Sequence, residues 1–143
     1  MSEVDVYKQL ARYMNIQYPD IPYHFDLSGV NNTSRYSRTL YGLLNERGFP
    51  DFFLAAPALF HSNDGKVEYY TGLFLEIKKD GQTVYKKDGT LRKNDHLKEQ
   101  EQMLHKLAGW GYFTSFAIGF DQCKQLVDEY LRKDSLGVPC RSR

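Results

Sequence analysis

Two short apolar segments that carry charged residues constrain the fold of this chain more than any other feature. The first covers residues 48–54 and contains Pro50-Asp51, and the second covers residues 72–78 and contains Glu76 and Lys78. Both segments are bounded by turn-forming residues and have the length and composition of β-strands. Since side chains alternate between the faces of a strand, Glu76 and Lys78 point to one face and their apolar neighbours to the other.

A carboxylate and an ammonium at the end of an apolar strand are costly unless each has a partner. If the two strands pair, Asp51 lies beside Glu76 and Lys78, and two acids and one lysine converge. Two carboxylates can hold a hard divalent cation such as Mg²⁺, and a nearby lysine can stabilise charge that develops on a phosphate. The pattern therefore predicts a metal site for phosphoryl chemistry. The alternative is a Glu76–Lys78 ion pair of little energetic consequence.

The other segments predict an α/β fold. Apolar residues recur at helical spacing near residues 4–14, 35–46, 94–108 and 121–132, and the segments 23–27 and 113–118 have strand composition. The predicted order is α-β-α-β-β-α-β-α, which indicates a mixed central sheet flanked by helices. Residues 55–70 are expected to form a loop or an excursion between two strands, and the second helix is expected to bury a stripe of four residues, Tyr36, Leu40, Leu43 and Leu44.

Length and composition limit the class of protein. The chain has 143 residues, of which 41% are hydrophobic and 26% charged, so we expect one domain over residues 1–132 and a loose tail over 133–143. No apolar run approaches the roughly 20 residues that cross a bilayer. The two cysteines, Cys123 and Cys140, form neither a metal motif nor a disulfide framework. A reducing, cytoplasmic setting is the simplest expectation.

The charge of the chain is uneven. Its net charge of +1 gives no global attraction to nucleic acid, so any such binding must be local. Residues 78–98 contain seven basic and three acidic residues, and a small hairpin across residues 82–92 would make this run a flap beside Glu76 and Lys78. Either it is a solvated face or it contacts DNA phosphates. The candidate contacts are Lys79, Lys86, Lys87, Arg92, Lys93 and Lys98, with Arg35 and Arg38 near the start of the second helix.

The order and spacing of the charged residues resemble the signature of the PD-(D/E)xK nucleases. Within that superfamily the chain is similar to the VRR-NUC branch, which is common in phages and in DNA-repair nucleases. The resemblance covers roughly residues 24–130. It rests on the stretches Gly48-Phe49-Pro50-Asp51, Phe74-Leu75-Glu76-Ile77-Lys78, Leu97-Lys98-Glu99-Gln100, Met103-Leu104 and Gly111-Tyr112.

The resemblance implies a restriction-endonuclease-like sheet and a specific set of site residues. The implied catalytic set is Asp51, Glu76, Lys78 and Gln100, and the implied metal ligands are Asp51, Glu76 and the backbone carbonyl of Ile77. His24 and Asp26 lie where the family often has a His-containing strand, but the residues after the histidine differ, so they receive no role. The charged insertion between Lys79 and Asn94 is longer than the family's usual loop.

These observations predict a divalent-metal-dependent DNA endonuclease that uses Mg²⁺ or Mn²⁺, with branched or junction DNA as one candidate substrate. DNA is the expected partner, membranes are not, and a homodimer is one option because a junction resolvase makes paired cuts. The implied location is the cytoplasm, in a phage or bacterial setting. The alternative is a nucleic-acid-binding module that keeps this fold without cleaving. The presence of Asp51, Glu76 and Lys78 together favours the enzyme.

Overall fold

The computed structural model describes residues 2–27, 34–61 and 64–133 and has an α/β architecture. Its helices are α1 (Glu3–Gln17), α2 (Arg35–Leu44), α3 (Asp95–Gly109) and α4 (Gly119–Lys133). Its strands are β1 (Tyr23–Phe25), β2 (Phe52–Leu54), β3 (Ala58–His61), β4 (Val67–Tyr70), β5 (Leu73–Lys78) and β6 (Phe113–Ile118).

The predicted mixed sheet flanked by helices is confirmed. Four strands lie in the order β1-β2-β5-β6, with β1–β2 and β2–β5 antiparallel and β5–β6 parallel. The α3 helix provides the long crossover that a parallel pair requires. As a result β5 occupies an interior position, and all six of its residues are buried.

The prediction of a loop over residues 55–70 is wrong, because β3 and β4 form a separate two-stranded antiparallel sheet there. Its apolar residues have a partner that the local sequence does not reveal. The rings of Phe60 and Tyr70 lie 6.0 and 6.5 Å from the ring of Tyr130 on α4. Contact with a distant helix therefore stabilises a hairpin whose own residues give a weak strand signal.

Both faces of the four-stranded sheet are covered. The α1 and α4 helices pack against each other and on one face, where Val6, Leu10 and Val127 are fully buried. On the other face, α3 packs against β6 through Leu97, Leu104 and Phe116. Helix starts follow the expected capping chemistry: Ser2 forms a capping box with Asp5 at α1, and the Asn94 side chain accepts two backbone N–H bonds at α3.

The predicted burial of the α2 stripe is wrong. Tyr36, Leu40, Leu43 and Leu44 are 74%, 36%, 78% and 70% exposed. Among the described residues, α2 makes at most minor contact with any other helix or strand. Helical spacing identifies the residues that share a face, but it does not say whether another part of the chain covers that face.

Two further expectations concern the flap and the tail. The predicted hairpin shortens to one bridge between Tyr85 and Leu91, with backbone bonds from Lys86 N to Thr90 O (2.7 Å) and from Arg92 N to Val84 O (2.9 Å). Residues 134–143 of the predicted tail lie outside the described residues, whereas Lys133 ends α4. None of the helices that the structure describes is long and apolar enough to span a membrane.

Candidate active site

The pairing of β2 with β5 brings the predicted acids together. Phe52 lies opposite Leu75, so Asp51, one residue before β2, lies beside the last residues of β5. The Asp51 Oδ2 accepts a hydrogen bond from the Ile77 backbone N–H at 2.8 Å. The side chains of Glu76 and Lys78 are held on the same face of β5 and are almost fully buried, with residue exposures of 3% and 4%. The predicted convergence is therefore present.

Gln100, on the second turn of α3, connects the two charged side chains of β5. Its Oε1 accepts a hydrogen bond from Lys78 Nζ at 2.8 Å, and its Nε2 donates one to Glu76 Oε1 at 2.6 Å. The direct distance from Lys78 Nζ to Glu76 Oε1 is 3.8 Å. Rotating the amide by 180° would put its donors against an ammonium and its oxygen against a carboxylate. The network therefore fixes all three groups.

The second oxygen of Glu76 has no hydrogen-bond donor beside it among the described residues, and a proton on one of the two acids would join the Glu76 and Asp51 carboxyls. Glu76 Oε2 is buried and accepts no hydrogen bond there, which is a costly state for a carboxylate. The N–H and C=O of a strand residue point to the same neighbour, so the Ile77 carbonyl points toward the Asp51 side, as its N–H does. These oxygen donors suit a hard divalent cation. The described residues contain no cluster of three or more His, Cys, Asp or Glu side chains that could hold a metal, so waters or substrate would complete the coordination.

Burial raises the pKa of both acids. For Glu76, desolvation is the largest cause, the negative charge of Asp51 adds to it, and the Lys78 ammonium opposes it. For Asp51, desolvation is again the largest cause, and the hydrogen bond from Ile77 N–H opposes it. Two neighbouring carboxyl groups that are buried away from water do not both ionise unless a nearby positive charge compensates them. A cation bound between them would supply that charge.

Asp51, Glu76, Lys78 and Gln100 line one cavity of about 670 Å³, the site cavity. Residues outside the sequence motif line it as well. Glu3 and Tyr7 reach it from α1, and the charge of Glu3 raises the pKa of Asp51 and Glu76. His96 is exposed on α3, and its Nε2 lies 3.1 Å from Gln100 Nε2. The site cavity thus has walls from α1, α2, β5 and α3. The position of His96, four residues before Gln100, is the one signal in the sequence that points to this contact.

The predicted DNA-contacting residues divide into two groups. Arg38 lines the site cavity, and Gln82 connects it to a neighbouring basic cavity of about 400 Å³, which Lys86, Arg92 and Lys93 line. The other candidates are exposed and line neither cavity: Arg35, Lys79, Lys87 and Lys98. Three basic residues of the flap thus line a cavity that shares Gln82 with the site cavity.

The β1 segment supports the site through its backbone. Asp26 N–H donates a 2.7 Å hydrogen bond to the Asp51 carbonyl oxygen, and Asp26 Oδ1 accepts a 3.4 Å bond from Asn45 Nδ2. His24 is exposed on β1 and does not line the site cavity. Asp26 therefore helps to hold the backbone that carries Asp51.

Comparison with known proteins agrees with this architecture. No protein-family model matches the sequence, and no curated protein matches it. A solved structure described as a VRR_NUC domain protein is similar to this chain with a TM-score of 0.58 and 19% sequence identity, over 92% of this chain and 89% of the other. The chain therefore has a VRR-NUC-like α/β fold.

Proposed function

We propose that this chain is a divalent-metal-dependent DNA endonuclease that acts in the cytoplasm of a bacterium or of a phage-infected cell. The observation that carries the proposal is the buried pair of acids Asp51 and Glu76: among the described residues Glu76 Oε2 has no N–H or O–H donor, and the other oxygen of Glu76 lies 3.8 Å from a buried lysine. If Glu76 served only as the ion-pair partner of Lys78, the fold would not need a second buried acid, Asp51, beside it. The VRR-NUC-like fold supports the same assignment.

The residues of the site divide the chemistry of phosphodiester hydrolysis among them. Asp51, Glu76 and the Ile77 carbonyl would hold Mg²⁺ or Mn²⁺, which polarises a phosphoryl oxygen and lowers the pKa of a bound water. Lys78 would stabilise the negative charge that grows on the phosphate during in-line attack. Gln100 holds the Lys78 ammonium and the Glu76 carboxylate in place from α3. Gln100 is thus a positioning residue.

Cleavage of a matched set of DNAs tests the proposal. The purified chain is incubated with Mg²⁺ or Mn²⁺ and with a linear duplex, a single strand, a flap and a four-way junction of related sequence. Endonuclease activity predicts internal strand breaks, resolved on denaturing gels, that EDTA abolishes. Absence of cleavage of every DNA form in both metals would contradict the proposal.

The basic cavity predicts the salt dependence of DNA binding. Replacing Lys86, Arg92 and Lys93 with Gln should weaken duplex binding and lower the log–log salt slope by about 0.9 for each phosphate that is no longer neutralised. The control removes three charges elsewhere, by changing Lys8, Arg12 and Lys66 to Gln. Titrations by fluorescence anisotropy at several salt concentrations measure both slopes. Equal slopes for the two triple variants would assign the flap to solvated surface.

A homodimer through α2 is part of the proposal. A ten-residue helix is marginal in water by itself, so covering its apolar stripe with a second copy would stabilise it. Arg38 and Tyr41 on the opposite side of α2 line the site cavity, so this contact would hold two sites near one another, as paired cuts in a junction require. Leu43→Glu with Leu44→Glu should shift the mass measured by light scattering from dimer to monomer. The exposed Val67→Glu is the control, and a monomeric wild type would refute the dimer.

A further inference from the structure

Phe49 is an aromatic residue whose ring is exposed at the edge of the site cavity. It is 38% exposed and lines that cavity one residue before Pro50-Asp51. The residue before it, Gly48, has a φ of +78°. A Cβ on Gly48 would lie only 3.0 Å from the Glu99 carbonyl oxygen. The preceding turn is therefore restricted to glycine, and the position of Phe49 follows from it.

The ring of Phe49 packs against a buried aromatic residue. It meets the buried ring of Phe74 edge-on, with centroids 5.4 Å apart, and Phe74 in turn contacts Phe53 at 4.6 Å and Tyr112 at 5.0 Å. Phe74 precedes Glu76 by two residues on β5, so this aromatic group lies on the same face of the sheet as the acids. The site face thus has an aromatic end beside a charged end.

The remaining lining fits a nucleotide. Arg38 supplies positive charge, as does Arg47, whose Nε lies 3.4 Å from Glu99 Oε2, and Tyr41 supplies a second aromatic ring from α2. A volume of about 670 Å³ is within the range of about 300–1,000 Å³ that encloses a drug-sized ligand, which a mononucleotide resembles in size. A base within a duplex is stacked between its neighbours, so only an unpaired base can present a free face to Phe49. The walls also carry four acids, Glu3, Glu46, Asp51 and Glu76, so the cavity is of mixed charge. Its cationic side chains and aromatic rings are the groups by which proteins usually bind single strands.

We propose that the site cavity receives an unpaired nucleotide next to the cleaved phosphodiester and that Phe49 stacks on its base. The inference rests on the proposed nuclease function and specifies its substrate: a flap, gap, branch point or single strand rather than continuous duplex. Phe49 would then determine substrate specificity through the base, while the acids and Lys78 act on the phosphate.

Binding in EDTA, where the strands stay intact, tests the role of Phe49. The probes are a flap with 2-aminopurine in its unpaired arm and a fully paired duplex of the same length. Wild type should bind the flap more tightly and quench its fluorescence by stacking. Phe49→Ala should weaken flap binding about tenfold, the scale of removing one stacked ring, and leave duplex binding unchanged. Phe49→Trp should restore it, and Trp110→Ala, at an exposed ring outside the cavity, should match wild type.

The outcomes separate this inference from the nuclease assignment. If wild type cleaves flap and duplex equally well and Phe49→Ala binds both as wild type does, the nuclease function stands and the role of Phe49 is overturned. The absence of 2-aminopurine quenching in the wild-type complex also overturns it, even if Phe49→Ala fails to fold. A wild type that neither binds nor cleaves any of these DNAs overturns both proposals.

Discussion

Asp51→Asn and Glu76→Gln should each abolish DNA cleavage in Mg²⁺ and in Mn²⁺. Both substitutions keep the size of the side chain and remove one of the two carboxylates that would hold the metal, so the donor set loses charge that the remaining groups do not replace. The measurement is the single-turnover cleavage rate over a range of metal concentrations. Glu129→Gln, on the exposed side of α4, is the matched control and should retain the wild-type rate.

The Glu76→Gln substitution should also stabilise the metal-free fold. Because burial and Asp51 raise the pKa of Glu76, the folded chain binds a proton near neutral pH that the unfolded chain does not. The free energy of unfolding therefore falls as pH rises above the ordinary carboxyl pKa of about 4. Glu76→Gln removes this cost and should raise the free energy of unfolding in EDTA by about 1–3 kcal/mol at pH 7, with the difference vanishing toward pH 4.

Added metal should reverse that order. Mg²⁺ or Mn²⁺ that binds only the folded state stabilises wild type by mass action, and Glu76→Gln should gain much less. Urea unfolding with EDTA and with Mn²⁺ measures both effects. Full nuclease activity in either acid variant would contradict the proposal that Asp51 and Glu76 bind the metal. A Glu76→Gln chain that is less stable than wild type in EDTA would instead indicate that Glu76 serves the fold as the partner of Lys78.

The central part of the fold was predictable from the sequence because it depends on local rules. The alternation of side chains on β5 fixed the common face of Glu76 and Lys78, and the structure confirms their convergence with Asp51. The helical spacing near residues 94–108 predicted α3, and the structure has Gln100 on the second turn of that helix. Once β2 and β5 are neighbours in the sheet, their pairing brings Asp51 beside Glu76.

The sequence could not predict features that depend on distant contacts. Tyr36 and Leu43 have the spacing of a buried stripe, but their exposure depends on whether another element packs against α2. The β3–β4 hairpin depends on Tyr130, which lies far along the chain. Glu3 reaches the site cavity only because α1 packs across the sheet beside β5, and no motif in α1 marks that position.

Lys78→Ala should lower the cleavage rate at least about 100-fold, the scale of losing one preorganised group that stabilises transition-state charge. The ammonium is almost fully buried and is held by Gln100 Oε1 at 2.8 Å, so it is aimed at the site before substrate arrives. DNA affinity should change far less, because the charge on the phosphate grows mainly in the transition state. Lys78→Met should give the same result with less loss of packing, since its side chain fills the space.

The adjacent Lys79→Ala supplies the comparison that separates catalysis from binding. Lys79 is exposed, so its removal should weaken DNA binding slightly and leave the single-turnover rate unchanged. The rate and the DNA dissociation constant are measured for all variants at one salt concentration. Cleavage by Lys78→Met at the wild-type rate would make Lys78 a structural partner of Glu76. If wild type binds DNA tightly but cleaves none of its forms, the chain is a binding module with a nuclease fold, and the buried lysine, glutamine and acids then serve only its stability.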